Sequence, residues 1–135
     1  MVNALRDAPI LIPFDTEFSC WTSLIFAPSP LDTTMLHVIA QIEIQPGKRN
    51  AFLEEFHQLV PHVLAENGCI EYGPTIDAST DLDRQHVNEN LVTIIERWES
   101  LEDLKAHLAA PHMAAYRERV KDLIVDARLQ VLRAA

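Results

Sequence analysis

Glu96, Trp98, His107 and His112 fall within 17 residues of one another, inside the segment LVTIIERWESLEDLKAHLAAPHMAAY that runs from Leu91 to Tyr116. An acid, an aromatic and two histidines form a set that can move a proton beside a flat ligand. Histidine accepts a proton near neutral pH without large tuning. A carboxylate can hold an imidazole in one tautomer, and an indole can orient a planar molecule by stacking. Whether the four border one pocket depends on the elements that carry them.

Those elements can be read from periodicity. Leu36, Val38, Ala40, Ile42 and Ile44 alternate with polar residues, as in a half-buried strand that Pro46-Gly47 ends. Phe52, Phe56, Leu59, Val60, Val63 and Leu64 repeat at helical spacing up to Asn67-Gly68, with a kink expected at Pro61. A second strand starts at Cys69 and is expected to be interrupted at Gly73-Pro74. Asp77 to Asn90 reads as a long hairpin loop, and Leu91 to Trp98 as a third strand. Ser100, with Asp103 three residues on, caps the next helix, whose expected buried stripe is Leu101, Leu104 and Leu108. Pro111 ends that helix and opens another carrying Met113, Tyr116 and Val120. The segment from Ile124 to Leu132 fits a last strand better than a continued helix.

The order β-α-β-β-α-β is the ferredoxin-like α+β sandwich built from split βαβ units. Helices cover one face of the sheet. The other is expected to carry Ile39, Ile94 and Trp98, and so to need a cover. A second copy of the chain, packed sheet to sheet, is the simplest one, which makes a homodimer the expected assembly.

A chain of 135 residues is one domain's worth and can bury a core without staples. The net charge of −9 argues against a nucleic-acid partner, because phosphate neutralisation needs a basic surface. No apolar run approaches a membrane span, and Cys20 and Cys69 read as two reduced thiols. Residues 1–34 contain Pro9, Pro13, Pro28 and Pro30 and show no sustained pattern. They read as an irregular extension preceding a domain of residues 35–135. Phe14, Phe18 and Trp21 are candidates to anchor it on a neighbouring surface; the alternative is a functional chain that begins at Met35. The acidic lead-in does not look like an export signal, so a cytoplasmic location is expected.

Three strings in order, PGKRNAFLEEF after the first strand, ENGCIEY before the hairpin and IERWESLEDLKAHLAAPHMAAY after it, resemble the antibiotic biosynthesis monooxygenase (quinol monooxygenase-like) family. The resemblance covers Met35 to about Leu132 and implies a dimeric α+β barrel. It also implies a cofactor-independent monooxygenase, acting with O2 on a quinol, phenol or polyketide-like aromatic. Heme-degrading relatives use an Asn on the first strand, a Trp ending the third and a His on the following helix. Trp98 matches the Trp, but Ala40 and Tyr116 stand where the Asn and the His would be. Without an axial ligand heme has no anchor, so heme degradation is not expected.

Such a reaction needs a base to ionise the phenol, an apolar pocket, and donors that steady an oxyanion. His107 is the expected catalytic base, at the edge of its helix stripe, and Glu96 the residue that orients it. Trp98, Tyr72, Tyr116, His112 and His37 are expected to line the substrate pocket, with His112 a lesser presence at a helix start. Each has a plainer reading as a packed side chain with a satisfied polar atom. Six histidines invite a metal, but His57 and His62 are five apart and no H-x-x-x-H or H-E-x-x-H spacing occurs. A His37, Glu96, His107 site is spatially conceivable, yet nothing in the sequence requires it, so no metal or cofactor is expected. With no G-x-G-x-x-G or P-loop and three glycines, no phosphate cradle is expected either. An isomerase using the same base, or a dimeric ligand-binding protein without activity, are the alternatives.

Overall fold

The computed structural model describes residues 34–135. The extension, its aromatic anchors and Cys20 lie outside the described residues. The elements are β1 (Leu36–Ile44), α1 (Arg49–Leu64), β2 (Cys69–Thr75), β3 (Leu91–Trp98), α2 (Leu101–Ala109), α3 (Pro111–Val120) and β4 (Ile124–Leu132). A 3-10 turn at Lys121–Leu123 joins α3 to β4. The four strands form one antiparallel sheet in the order β2-β3-β1-β4. This is the ferredoxin-like α+β arrangement, its second helix divided in two at Pro111. No helix among the described residues is long and apolar enough to cross a membrane.

Register decides which side chains share a face. Val38 pairs with Glu96, Ala40 with Ile94 and Ile42 with Val92, so these residues and Trp98 all point toward the helices. The helices answer with Phe52, Phe56, Leu59 and Val63 from α1, Leu104 from α2, and Met113, Tyr116 and Val120 from α3. Burying one such aromatic or aliphatic side chain is worth about 1.5–3 kcal/mol. The core is therefore built by β1, β3, Tyr72 of β2 and three helices.

Three local expectations are corrected. Ile94 and Trp98 do not lie on the outer face: their alternation with Glu96 puts all three under the helices, and Ile39 faces outward opposite Ile95. The α2 stripe is Leu104 and His107, whereas Leu101 and Leu108 are exposed. Finally, β2 runs unbroken through Gly73 and Pro74. It is an edge strand, where a residue without an N–H removes no ladder bond from a second neighbour.

One cap and one turn set the helices that matter most. Ser100 Oγ accepts a hydrogen bond from the Asp103 N–H at 3.2 Å and donates to Asp103 Oδ2 at 2.8 Å, fixing the start of α2. Gly68, in the turn after the Ala65 C-cap of α1, has φ +77°, a conformation that glycine adopts freely. A Cβ built there would sit 2.1 Å from Asp103 Oδ2. The Gly68 carbonyl also accepts from the Glu99 N–H at 2.9 Å. The α1–β2 turn is thus pressed against the β3–α2 turn.

Candidate active site

Between the helices and the inner sheet face lies a cavity of about 400 Å³. Its walls are mostly apolar, with Ala40, Ile42 and Ile94 from the sheet and Phe52, Phe56 and Met113 from the helices. Glu96, His107, Tyr72 and Tyr116 supply its polar atoms, and Arg117 and Lys121 also border it. Leu129 of β4 lines the open side and is 49% exposed.

His107 is nearly sealed, at 2% exposure. It sits in the last turn of α2 on the buried face, one helical step from Leu104. The Trp98 ring lies 4.8 Å from its own, centroid to centroid, and the Tyr72 ring 5.4 Å away, nearly edge-on. Its Nδ1 is 2.7 Å from Glu66 Oε2. With Nδ1–H donating to that acceptor, Nε2 is the nitrogen left for a ligand in the cavity. Burial holds the imidazole below its ordinary value of 6.5; the Glu66 hydrogen bond and charge pull it back up, and His112 and Arg117 push it down again. The neutral, proton-accepting form is thereby favoured near pH 7.

The expected pairing of Glu96 with His107 is not what the structure shows. Glu96 Oε2 accepts from the Trp98 indole N–H at 2.8 Å, because Trp98 is two residues along the same strand face. The carboxylate on His107 Nδ1 is that of Glu66, in the turn after α1. Glu96 borders the same cavity at 5% exposure, and burial raises its carboxyl above 4.5 despite the indole hydrogen bond. Burial likewise raises the phenols of Tyr72 and Tyr116, which therefore stay protonated and able to donate. Tyr72 stacks on Phe56 with centroids 5.3 Å apart, and Tyr116 meets Phe56 edge-on at 5.8 Å.

The remaining residues go elsewhere. Trp98 is fully buried behind His107 and does not line the cavity. His112 points away from the cavity, its Nε2 2.5 Å from Glu66 Oε1. His37 is exposed on the outer sheet face, opposite Arg97, because it is out of phase with Val38 and Ala40. Neither it nor Glu96 joins His107 in a metal site. Glu66, His107 and His112 do bring one ligand-type atom each within 4.8 Å of one another, a compactness that a divalent cation could use. Here those atoms are in contact with each other. Cys69 is a free thiol, pushed up to about 11 by burial and by Glu66 and Glu96.

The model of the family described as "Antibiotic biosynthesis monooxygenase" matches residues 35–119. The chain belongs to that family. A protein of Escherichia coli (strain K12) named "Probable quinol monooxygenase YgiN" is 41% identical over 100 residues, which are 73% of this chain and 96% of that one. The fold recurs in a conserved protein from Methanosarcina mazei Go1, with a TM-score of 0.67 and 20% identity over 78% of this chain and 97% of that one. A Pseudomonas aeruginosa protein gives a TM-score of 0.65 at 25% identity, covering 77% and 97%. At the level of the family, the chain is a monooxygenase, and the cavity bordered by His107 is its candidate active site.

Glu66 was the residue that sequence reasoning missed. It lies 41 positions before His107, in a turn where an acid ordinarily faces solvent. The available signal was Asn67-Gly68: a tight helix stop folds the turn back toward the next element and carries Glu66 with it.

Proposed function

We propose that the protein is a cofactor-independent monooxygenase of quinols or related phenols, with His107 as the catalytic base. The observation that carries this reading is a buried histidine with Nδ1 engaged and its other nitrogen available to a mainly apolar, aromatic-walled cavity. A phenol seated there loses its O–H proton to His107 Nε2. The resulting phenolate is electron-rich enough to reduce O2 by one electron. Recombination at a ring carbon forms a C–O bond, and the peroxide loses water, together with the ring proton, to leave a quinone. One oxygen atom enters the ring and the other leaves as water. The substrate supplies all four electrons, so the balance needs no flavin or external reductant. In this reading Tyr72 and Tyr116, both on the cavity wall, steady the developing oxyanion through their hydroxyls.

The assembly proposed with it is a homodimer. Residues Ala127, Leu129 and Val131 of β4 pair with Ile42, Ala40 and Val38, so they share the inner face. Leu129 and Val131 nevertheless remain 49% and 43% exposed. A second copy covering them would also narrow the open side of the cavity.

Purified protein is given a panel of hydroquinones and phenols while oxygen uptake and incorporation of label from 18O2 are followed without flavin or added metal. Single-atom incorporation is expected, with His107→Ala slower by about 100-fold or more, the usual contribution of a positioned base. No uptake above the buffer rate, or a His107→Ala protein as active as the parent, sinks the mechanism.

A further inference from the structure

The Glu66 carboxylate stands between two histidines that face different spaces. Oε2 meets His107, which lines the inner cavity; Oε1 meets His112 at 2.5 Å. His112 borders a separate groove of about 360 Å³ on the outer side of the helices, shared with His62, whose ring is 6.2 Å from its own. Glu66 Oε1 and His112 Nε2 are both shut off from solvent; they lie within ion-pair distance of each other, and neither makes a hydrogen bond. The turn that holds Glu66 is fixed by the Gly68–Asp103 contact and by the Glu99 to Gly68 hydrogen bond. The chain therefore spends a rigid, partly buried acid on the far side of the base from the substrate.

We propose that Glu66 is the positioning residue for His107 and that His112, by sharing the same carboxylate, couples the buried base to the outer groove. This rests on the reading of His107 as the base. Glu66 keeps the Nδ1–H tautomer, so Nε2 stays unprotonated and directed at the substrate. As His107 takes the substrate proton, the carboxylate stabilises the imidazolium in a site that otherwise disfavours charge. His112 competes for the same carboxylate from the groove side and weakens that support.

The groups facing His107 limit what else can account for a pH effect. They are Glu66 from the α1–β2 turn, His112 and Arg117 from α3, Tyr72 from β2 and Glu96 from β3. Of these, Glu66 raises the affinity of His107 for a proton, whereas His112 and Arg117 lower it. Removing Glu66 and removing His112 therefore have opposite signs.

The test uses Glu66→Gln, Glu66→Asp and His112→Asn, read in two ways. The acidic limb of the kcat/KM profile is expected to move to lower pH in Glu66→Gln and to higher pH in His112→Asn. Glu66→Gln loses roughly tenfold or more of kcat, part of what a positioned base supplies, with KM little changed, and Glu66→Asp recovers some of it. Independently of turnover, 15N NMR of the histidine side chains should show His107 as the Nδ1–H tautomer, with the same two opposed shifts in its titration. Limbs and titrations that stay in place, or that move together, overturn the proposal. So does an Nε2–H tautomer in the parent, a measurement that stands even if a variant fails to fold. A stoichiometric divalent cation in the purified protein would make the trio a metal site and also overturn it. If no quinol is turned over while the NMR shifts appear, the monooxygenase reading fails and the Glu66 assignment survives.

Discussion

Strands β3 and β4 follow the same alternation and reach opposite ends. In β3, Val92, Ile94, Glu96 and Trp98 are all buried, the carboxylate included. In β4, only Ile124 is even partly covered, and Val125, Leu129 and Val131 stay largely open. The difference lies in the neighbours. β3 sits second in the sheet beneath the helices, while β4 is the far edge and stays largely exposed among the described residues. Alternation reports which residues share a face; burial depends on what stands opposite.

The comparison can be broken first at the covered side. Phe56 touches Phe52, Tyr72 and Tyr116. Phe56→Ala is expected to cost about 3–5 kcal/mol in denaturant unfolding, as buried aromatics do. A cost below about 1 kcal/mol, the level of an ordinary exposed site, would mean that this region is not the core.

A smaller effect should come from His107. In the unfolded chain it takes a proton near 6.5, whereas burial lowers that value in the fold. The stability tied to the neutral ring is therefore complete above about pH 6.5 and is lost as pH falls toward the lower folded value. The unfolding free energy from urea titrations should drop from pH 7 to pH 5.5 more steeply in the parent than in His107→Gln, by no more than about 1.4 kcal/mol per pH unit for one proton. Equal slopes would show that the ring is not desolvated.

Glu96 carries the opposite sign. Its folded value is raised above 4.5, so its contribution is complete below that pH and is lost as pH rises through the folded value. Glu96→Gln keeps an acceptor for the Trp98 indole and removes the buried charge. It should stabilise the protein at pH 8 by on the order of 1 kcal/mol, with the gain shrinking toward pH 5. A loss at pH 8 would mean that the carboxylate has a partner other than the indole.

The smallest effect belongs to the open side. Leu129→Ser should change the unfolding free energy of a dilute, dissociated protomer by about 0.5 kcal/mol or less. If β4 is where two copies meet, the same change should shift sedimentation toward monomer. A large stability loss without any change in mass would place Leu129 in the protomer's own core.

The strands, the helices and their order were legible because each follows from period-two or period-3.6 apolar spacing, and Ser100 and Pro111 announce their own boundaries. His107 was legible as a candidate, although its depth was not. Leu101 and Leu108 looked like better core residues than a histidine, and only the tilt of α2 against β3 decides that His107 faces inward. The Glu96–His107 pairing failed for a similar reason. Two groups on neighbouring elements were linked by proximity in sequence, whereas the indole two residues from Glu96 and the turn 41 residues before His107 were the real partners. Polar pairing in a packed interior is set by three-dimensional register, which one-dimensional spacing does not encode.

Pro74 lies in β2, one edge of the sheet, alongside a register shift between Cys69 and Glu71. β4 forms the other edge, nine residues long and without proline. Both edges carry an irregularity, but a proline removes a donor, so the β2 edge is the poorer template for another strand and the proline-free β4 edge the better one. The sheet therefore has a closed end and an open end. Were it to grow by adding strands, growth would run in one direction only, and two copies meeting at their open ends would have nowhere further to extend. Among the described residues, that asymmetry would end strand addition, were it to occur, at a pair rather than a fibre.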